Sequence, residues 1–289
     1  MPRIEHILAL TAGLVSATST VLVQRGLRGS DVYAGYWINL IVGAVGLWLV
    51  VLFAGGIGQP SWRGIGFFVA AGLVGTFAGR LFRYIAIDKV GASVAAAVTN
   101  LNPLFSSLLA IALLGEHVTL PIMVGTVVIV TGTVLLSGRG QRVGFRAWDI
   151  VFPLLSAACF GAVTVLRKIG LAQIGPAFGT AVNVTTALVA FTAFLLASGR
   201  GAIATCRGPS LTYFIAAGAA ENAAVFLNIL ALSVGAVSVV APLYASAPIF
   251  VLFLSLLFLR GIDVVSARVV AGTVLIVAGI VLITALSGR

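Results

Sequence analysis

The chain has 289 residues, 61% of them hydrophobic and only 8% charged, with a mean hydropathy of +1.19. A soluble domain carries about 25% charged residues, so this chain has too few to hydrate its surface and must be solvated by lipid. The net charge of +10 would point to nucleic acid in a soluble protein; here the basic residues sit mostly at the ends of apolar runs as topology anchors, and no nucleic-acid partner is expected.

In hydrocarbon every backbone polar group needs an internal partner, which leaves helices or a closed barrel. The apolar runs exceed twenty residues and lack the in–out alternation of barrel strands, so they are read as helices. Ten spans follow in order: Glu5–Leu27, Asp31–Ala54, Trp62–Ile87, Ala92–Leu114, Leu120–Leu136, Trp148–Ile169, Pro176–Ala197, Leu211–Leu232, Ser238–Leu259 and Val264–Leu286. The first is a retained span, since no small-residue cleavage signature accompanies it. Cys159 and Cys206 have no framework spacing and read as unpaired thiols.

Gly125–Leu136 matches Gly272–Ile283 at eight of twelve positions. Ser19-Thr20-Val21-Leu22 recurs as Val163-Thr164-Val165-Leu166, Asn39 falls on Asn183, and Val90-Gly91-Ala92 recurs as Val234-Gly235-Ala236. These matches keep one order and an offset of 144 to 147 residues, which divides the chain into repeats 1–143 and 144–289. Each repeat holds five spans, and an odd number reverses direction. The expected fold is therefore an all-α polytopic membrane protein of two inverted five-helix repeats, with a site at the repeat interface near the midplane.

Several of these residues resemble one family, the drug/metabolite transporter superfamily in its EamA-type ten-helix form. The resemblance rests on Val90-Gly91-Ala92-Ser93, Asn102-Pro103-Leu104-Phe105, Leu113-Leu114-Gly115-Glu116 and the glycine-rich fifth span. The second half departs from it, with Leu259-Arg260-Gly261 where Leu-Gly-Glu should recur. The resemblance implies export of small metabolites, including amino acids, nucleosides, vitamins and drugs, and bacterial exporters of amino acids, aromatic ones included, look most similar. It also implies a multi-pass protein of the bacterial inner membrane.

Ten spans put both termini on one side. Loops on that side carry Arg3, Arg63, Arg167, Lys168 and Arg289, against ten basic residues opposite, so the positive-inside rule places the termini outside. Family members are often drawn with them inside.

Ionisable residues within spans mark the candidate site. Glu221 is the only ionisable group between Leu211 and Leu232 apart from Tyr213. A charge at such depth costs roughly 2.5–3.5 kcal/mol on insertion scales. Glu221 therefore either binds a substrate ammonium or a coupling proton, or pairs internally with an arginine such as Arg80. Its repeat-equivalent position is Gly75, so symmetry supplies no second carboxylate. In the third span Arg80, Arg83 and Tyr84 are expected either to form a cationic patch facing the cavity or to snorkel toward the span end. Asn228 lies two turns from Glu221 on the same face, whereas Asn222 points elsewhere, toward a neighbouring helix.

The fourth and ninth spans are interrupted by Pro103, and by Pro242 and Pro248, at equivalent places. Paired interruptions of this kind point to a binding site, which makes Thr99, Asn102, Tyr244 and Ser246 candidate contacts. Trp37 is deep enough to touch a ligand, while the other tryptophans read as interface aromatics. Ser16, Ser19, Thr20, Gln24 and Thr164 read first as polar links between helices, Gly125–Gly132 and Gly272–Gly279 as packing faces, and Glu116 as a helix-end feature. No nucleotide loop, nucleophile triad or paired carboxylates occur, and His6 and His117 have no metal-ligand spacing, so neither an enzyme nor a metal or other cofactor is expected.

The combined expectation is a secondary transporter exporting a small zwitterion, an amino acid, aromatic ones included, by alternating access. An arginine of the third span would hold its carboxylate, Glu221 its ammonium, and Tyr84, Tyr244 and Phe82 would supply apolar contacts. The competing expectations are efflux of hydrophobic cations or drugs, export of nucleoside-type metabolites, and a non-transporting scaffold. The expected partners are the small-molecule substrate, the lipid bilayer and protons as a candidate coupling ion; nothing in the sequence demands an oligomer.

Overall fold

The computed structural model describes residues 3–27, 30–53, 56–58, 61–90, 95, 98–137, 147–199, 208–258 and 267–286. Its elements are helices, with no strand among the described residues. The first half contains α1 (Ile4–Gly26), α2 (Val32–Phe53), a composite third span, α5 (Asn102–Leu114) and α6 (Leu120–Ser137). The third span runs from α3 (Trp62–Ala71) through a π-helical segment (Gly72–Gly79) into α4 (Arg80–Val90). The second half contains α7 (Val151–Leu171), α8 (Pro176–Ala197), α9 (Pro209–Val234), α10 (Val237–Tyr244), α11 (Ala247–Phe258) and α12 (Ala267–Leu286). Six stretches are long and apolar enough to cross a bilayer and four shorter apolar ones accompany them, in the positions of the ten predicted spans.

Helix packing displays the inverted repeat directly. α1 lies along α9, and the equivalent α7 lies along the third span. α2 packs on α9, and the equivalent α8 packs on the third span; α2 meets α8, and α6 meets α12. Each contact has a partner under exchange of the halves, the pattern a pseudo-two-fold axis in the membrane plane produces.

The α6–α12 contact is made by glycines, as the matching sequences suggest. A Cβ at Gly125 would lie 2.6 Å from Ile283 and one at Gly279 would lie 2.6 Å from Ile129. A Cβ at Gly132 would meet the Gly272 carbonyl oxygen at 2.6 Å. Lipid is as apolar as leucine, so close backbone approach and dispersion, rather than burial from water, hold these two helices together.

The two predicted proline interruptions are real and equivalent. The fourth span turns at Asn100-Leu101 and the ninth at Ala245-Ser246. Leu101 N donates to Val98 O at 3.1 Å and Leu104 N to Leu101 O at 2.9 Å; Ser246 N to Leu243 O and Ile249 N to Ser246 O repeat the pattern at 3.2 and 3.0 Å. Pro103 and Pro248 then each sit in the first turn of a new helix, where the missing N–H leaves no orphan acceptor, whereas Pro242 lies inside α10 and does not interrupt it. The carbonyl of Thr99, which Pro103 is unable to serve, accepts Asn102 Nδ2 at 3.1 Å.

Glu116 is indeed a helix-end group, but of a helix in the other half. Following α5, it accepts from Val237 N at 2.8 Å, Ser238 N at 3.0 Å and Ser238 Oγ at 2.7 Å, capping α10. Lys168 does the complementary work at a C-terminus: its Nζ donates to the carbonyls of Leu232 and Gly235 at the end of α9, both at 2.7 Å. The ends of the fourth, sixth, eighth and ninth spans thus converge on one side, as alternating directions require.

A Gly132→Ala substitution should lower the melting temperature in detergent, costing about 1–3 kcal/mol because the obstructing atom is backbone and unable to turn aside. Gly46→Ala, where no heavy atom lies within 4 Å, is the control and should leave the melting temperature unchanged.

Candidate functional site

The site is built around the π-helical segment of the third span. Its glycines approach the second half closely: a Cβ at Gly72 would lie 2.6 Å from Asn183 O, and one at Gly75 would lie 2.4 Å from Val163. Hydroxyls from other helices enter its hydrogen-bond ladder. Tyr36 Oη donates to the Thr76 carbonyl, and Ser156 Oγ donates to the Gly79 carbonyl at 2.8 Å. The Thr76 hydroxyl accepts from Asn183 Nδ2 at 2.9 Å and from Arg167 Nη2 at 3.4 Å. Arg167 Nε also donates to Asn183 Oδ1 at 3.2 Å.

Just past the π segment, Arg80 Nη2 lies 3.2 Å from Glu221 Oε1. The two side chains retain 27% and 16% of their exposure, so the pair is shielded from solvent without being sealed. Ser16 Oγ donates to Glu221 Oε2 at 3.2 Å, with Tyr244 Oη 3.5 Å from the same hydroxyl. The Arg80 guanidinium also stands 4.8 Å from the centre of the Tyr36 ring, a cation–π contact. Opposite lies Asn222, whose Nδ2 donates to Asn39 O at 3.1 Å and Gly218 O at 2.8 Å. Between these groups is a recess of about 300 Å³, counting its open mouth. Arg80, Arg167, Glu221, Thr76 and Asn183 line it together with a few apolar side chains.

The model of the EamA-like transporter family matches residues 3–138 and 147–285, one match to each half. The chain belongs to the EamA-like transporter family. It is a multi-pass membrane transporter of small molecules. A solved crystal structure of a protein 20% identical to this chain has the same fold, with a TM-score of 0.81 over 98% of this chain and 96% of the other. No curated protein matches the chain.

Among the residues singled out in the sequence, the EamA-like fold brings Arg80 and Glu221 together in the recess. Tyr244 reaches this pair through Ser16. Arg83 is exposed and is not among the lining groups, and the Tyr84 side chain lies outside the described residues. Thr99 is buried with its hydroxyl unpartnered, Asn102 closes its own turn, and Ser246 Oγ donates to Leu243 O at 2.6 Å; none of the three lines the recess. Asn228 is buried in α9. Trp37 Nε1 donates to Thr192 Oγ1 at 3.0 Å, tying α2 to α8, and Trp48 does the same to Thr185 rather than standing at an interface.

Sequence reasoning missed Arg167, which it counted as a loop anchor beside Lys168. Both lie on α7 and turn inward, Arg167 to the recess and Lys168 to the helix end described above. Removing them leaves the charge asymmetry between the two sides of the membrane in the same direction. Asn183 served only as a repeat marker. The signal available was that Asn39 and Asn183 are repeat equivalents, since an asparagine kept in both halves at one depth marks a shared polar layer.

Replacing Glu221 by Met removes the anion facing Arg80 and should cost on the order of 1–3 kcal/mol, between the values for exposed and buried pairs. The double variant Arg80→Met/Glu221→Met should recover part of that loss. Melting temperatures in detergent check both; a single variant as stable as the wild type would show that the pair contributes nothing.

Proposed function

We propose that this transporter exports a small metabolite bearing both a carboxylate and an ammonium group, that is, an amino acid, through the recess at the repeat interface. The observation that carries the reading is the Arg80–Glu221 pair, one cation and one anion 3.2 Å apart, both lining a polar recess. A zwitterion offers the complementary pair of charges. Its ammonium can take Glu221 while its carboxylate takes Arg80, so binding replaces their mutual ion pair without leaving either of the two unpaired. Movement of the two halves about the recess would then expose it to each side in turn, as inverted repeats allow.

Efflux of hydrophobic cations is less well supported. That reading needs the arginines turned away, whereas Arg80 and Arg167 both line the recess, with Glu221 the one carboxylate among the described lining residues. An aromatic substrate gains no particular support, since no aromatic side chain is among the described lining residues.

Counterflow in proteoliposomes tests the reading with a panel of amino acids, nucleosides and lipophilic cations. Exchange is expected with one or more amino acids, and Glu221→Gln should reduce it by more than about tenfold, the loss of one charge-assisted contact. Exchange of lipophilic cations with no amino acid active would overturn it.

A further inference from the structure

We propose that the substrate is an amino acid with a second acidic group, carrying net charge −1, and that Arg167 is the residue that selects it. The inference rests on the amino-acid reading above and specifies its charge. Among the described residues the recess is lined by two guanidinium groups, Arg80 and Arg167, and by one carboxylate, Glu221. Arg80 and Glu221 neutralise one another. Among the described residues Arg167 hydrogen-bonds to neutral partners, Asn183 Oδ1 at 3.2 Å and the Thr76 hydroxyl at 3.4 Å.

A guanidinium has five N–H donors, and these two contacts engage only Nε and Nη2. A cation inside a lipid-solvated bundle without a counter-charge is expensive, and such residues either pair or mark a ligand. Thr76 strengthens the case. Its oxygen accepts from both Asn183 and Arg167, which fills its lone pairs and leaves its own O–H to donate. Arg167 and Thr76 therefore offer a charged and a neutral donor side by side at the recess, an arrangement suited to a carboxylate.

Repeat symmetry argues that Arg167 is there for more than packing. The neutral framework of the recess is symmetric: Asn183 with Thr76 corresponds to Asn39 with Asn222, at offsets of 144 and 146 residues. The position equivalent to Arg167 is Val23, 144 residues earlier. The first half thus builds the same helix contacts without a cation at that position.

A neutral zwitterion brings one carboxylate and one ammonium, so the loaded recess would keep an uncompensated guanidinium. An acidic amino acid brings two carboxylates and one ammonium, and every charge then has a partner: the ammonium on Glu221, one carboxylate on Arg80 and the other on Arg167. Leu40, Val184 and Val225 give the short methylene chain an apolar wall.

The experiment is competitive counterflow in proteoliposomes with pairs matched in size and differing in charge, glutamate against glutamine and aspartate against asparagine. The wild type is expected to exchange the acidic member at least about tenfold better than the amide, the effect of one matched against one stranded charge. Arg167→Gln should bring that ratio near unity by losing acidic exchange while amide exchange persists, and Arg167→Lys should restore much of it. Amides exchanged as well as or better than acids by the wild type would overturn the inference while leaving amino-acid transport standing. Exchange of none of the four would overturn it too, and exchange of nothing else in the amino-acid panel would take the broader reading with it. The wild-type ratio alone decides the matter if Arg167→Gln does not fold.

Discussion

A charge in a lipid-solvated bundle has no water to fall back on, and this constraint shapes the centre of the molecule. Arg80, Arg167 and Glu221 lie where neighbouring helices must supply what solvent would supply elsewhere. The arrangement around them follows from that need. Ser16 donates to the carboxylate, the Tyr36 ring lies beside the Arg80 guanidinium, and the Asn183–Thr76 pair holds Arg167. The π-helical stretch of the third span belongs to the same solution, because its glycines let α7 and α8 approach while the Thr76 hydroxyl meets Arg167.

Backbone groups face the same constraint, and side chains from neighbouring spans, of the same or the opposite repeat, often satisfy them. Glu116 caps α10, Lys168 closes the end of α9, Ser19 Oγ donates to the Ala217 carbonyl and Ser156 Oγ to that of Gly79. Ser19 and Ser156 each join a first-repeat span to a second-repeat one, in equivalent helix pairs. Glu116, Lys168 and Ser156 thus repair helix ends and the π segment, whereas Ser16 and Ser19 link α1 to α9 as the sequence suggests and Thr20 and Thr164 bond back to their own helices. That repair explains how a chain with two broken spans and a π segment remains compatible with hydrocarbon.

The inverted repeat and the charges play different parts. Symmetric features, such as the α6–α12 glycine contact, the paired proline turns and the two asparagine-centred links, build a neutral frame around the axis. The charges break that symmetry, since Arg80, Arg167 and Glu221 correspond to Phe226, Val23 and Gly75. A symmetric frame suits a bundle with two related conformations, whereas an asymmetric set of charges suits recognition of one substrate orientation.

Much of this was legible in the chain itself. Apolar runs of membrane length, their number and the 144–147-residue offset determined the helical class, the ten spans and the inverted pairing, because bilayer thickness and backbone hydrogen bonding leave few alternatives. The cost of Glu221 in its run was visible too, as was its candidate partner Arg80. Only the tertiary structure decided which alternative held. It joined Glu221 to Arg80, turned Arg167 from a loop anchor into a lining group, and left Thr99, Asn102 and Ser246 outside the recess. The physical reason is rotation about the helix axis. Spans solvated by lipid are apolar all round and carry little periodic signal, and the π turn shifts the faces downstream of it, so the direction of a side chain is set by the helices packed against it.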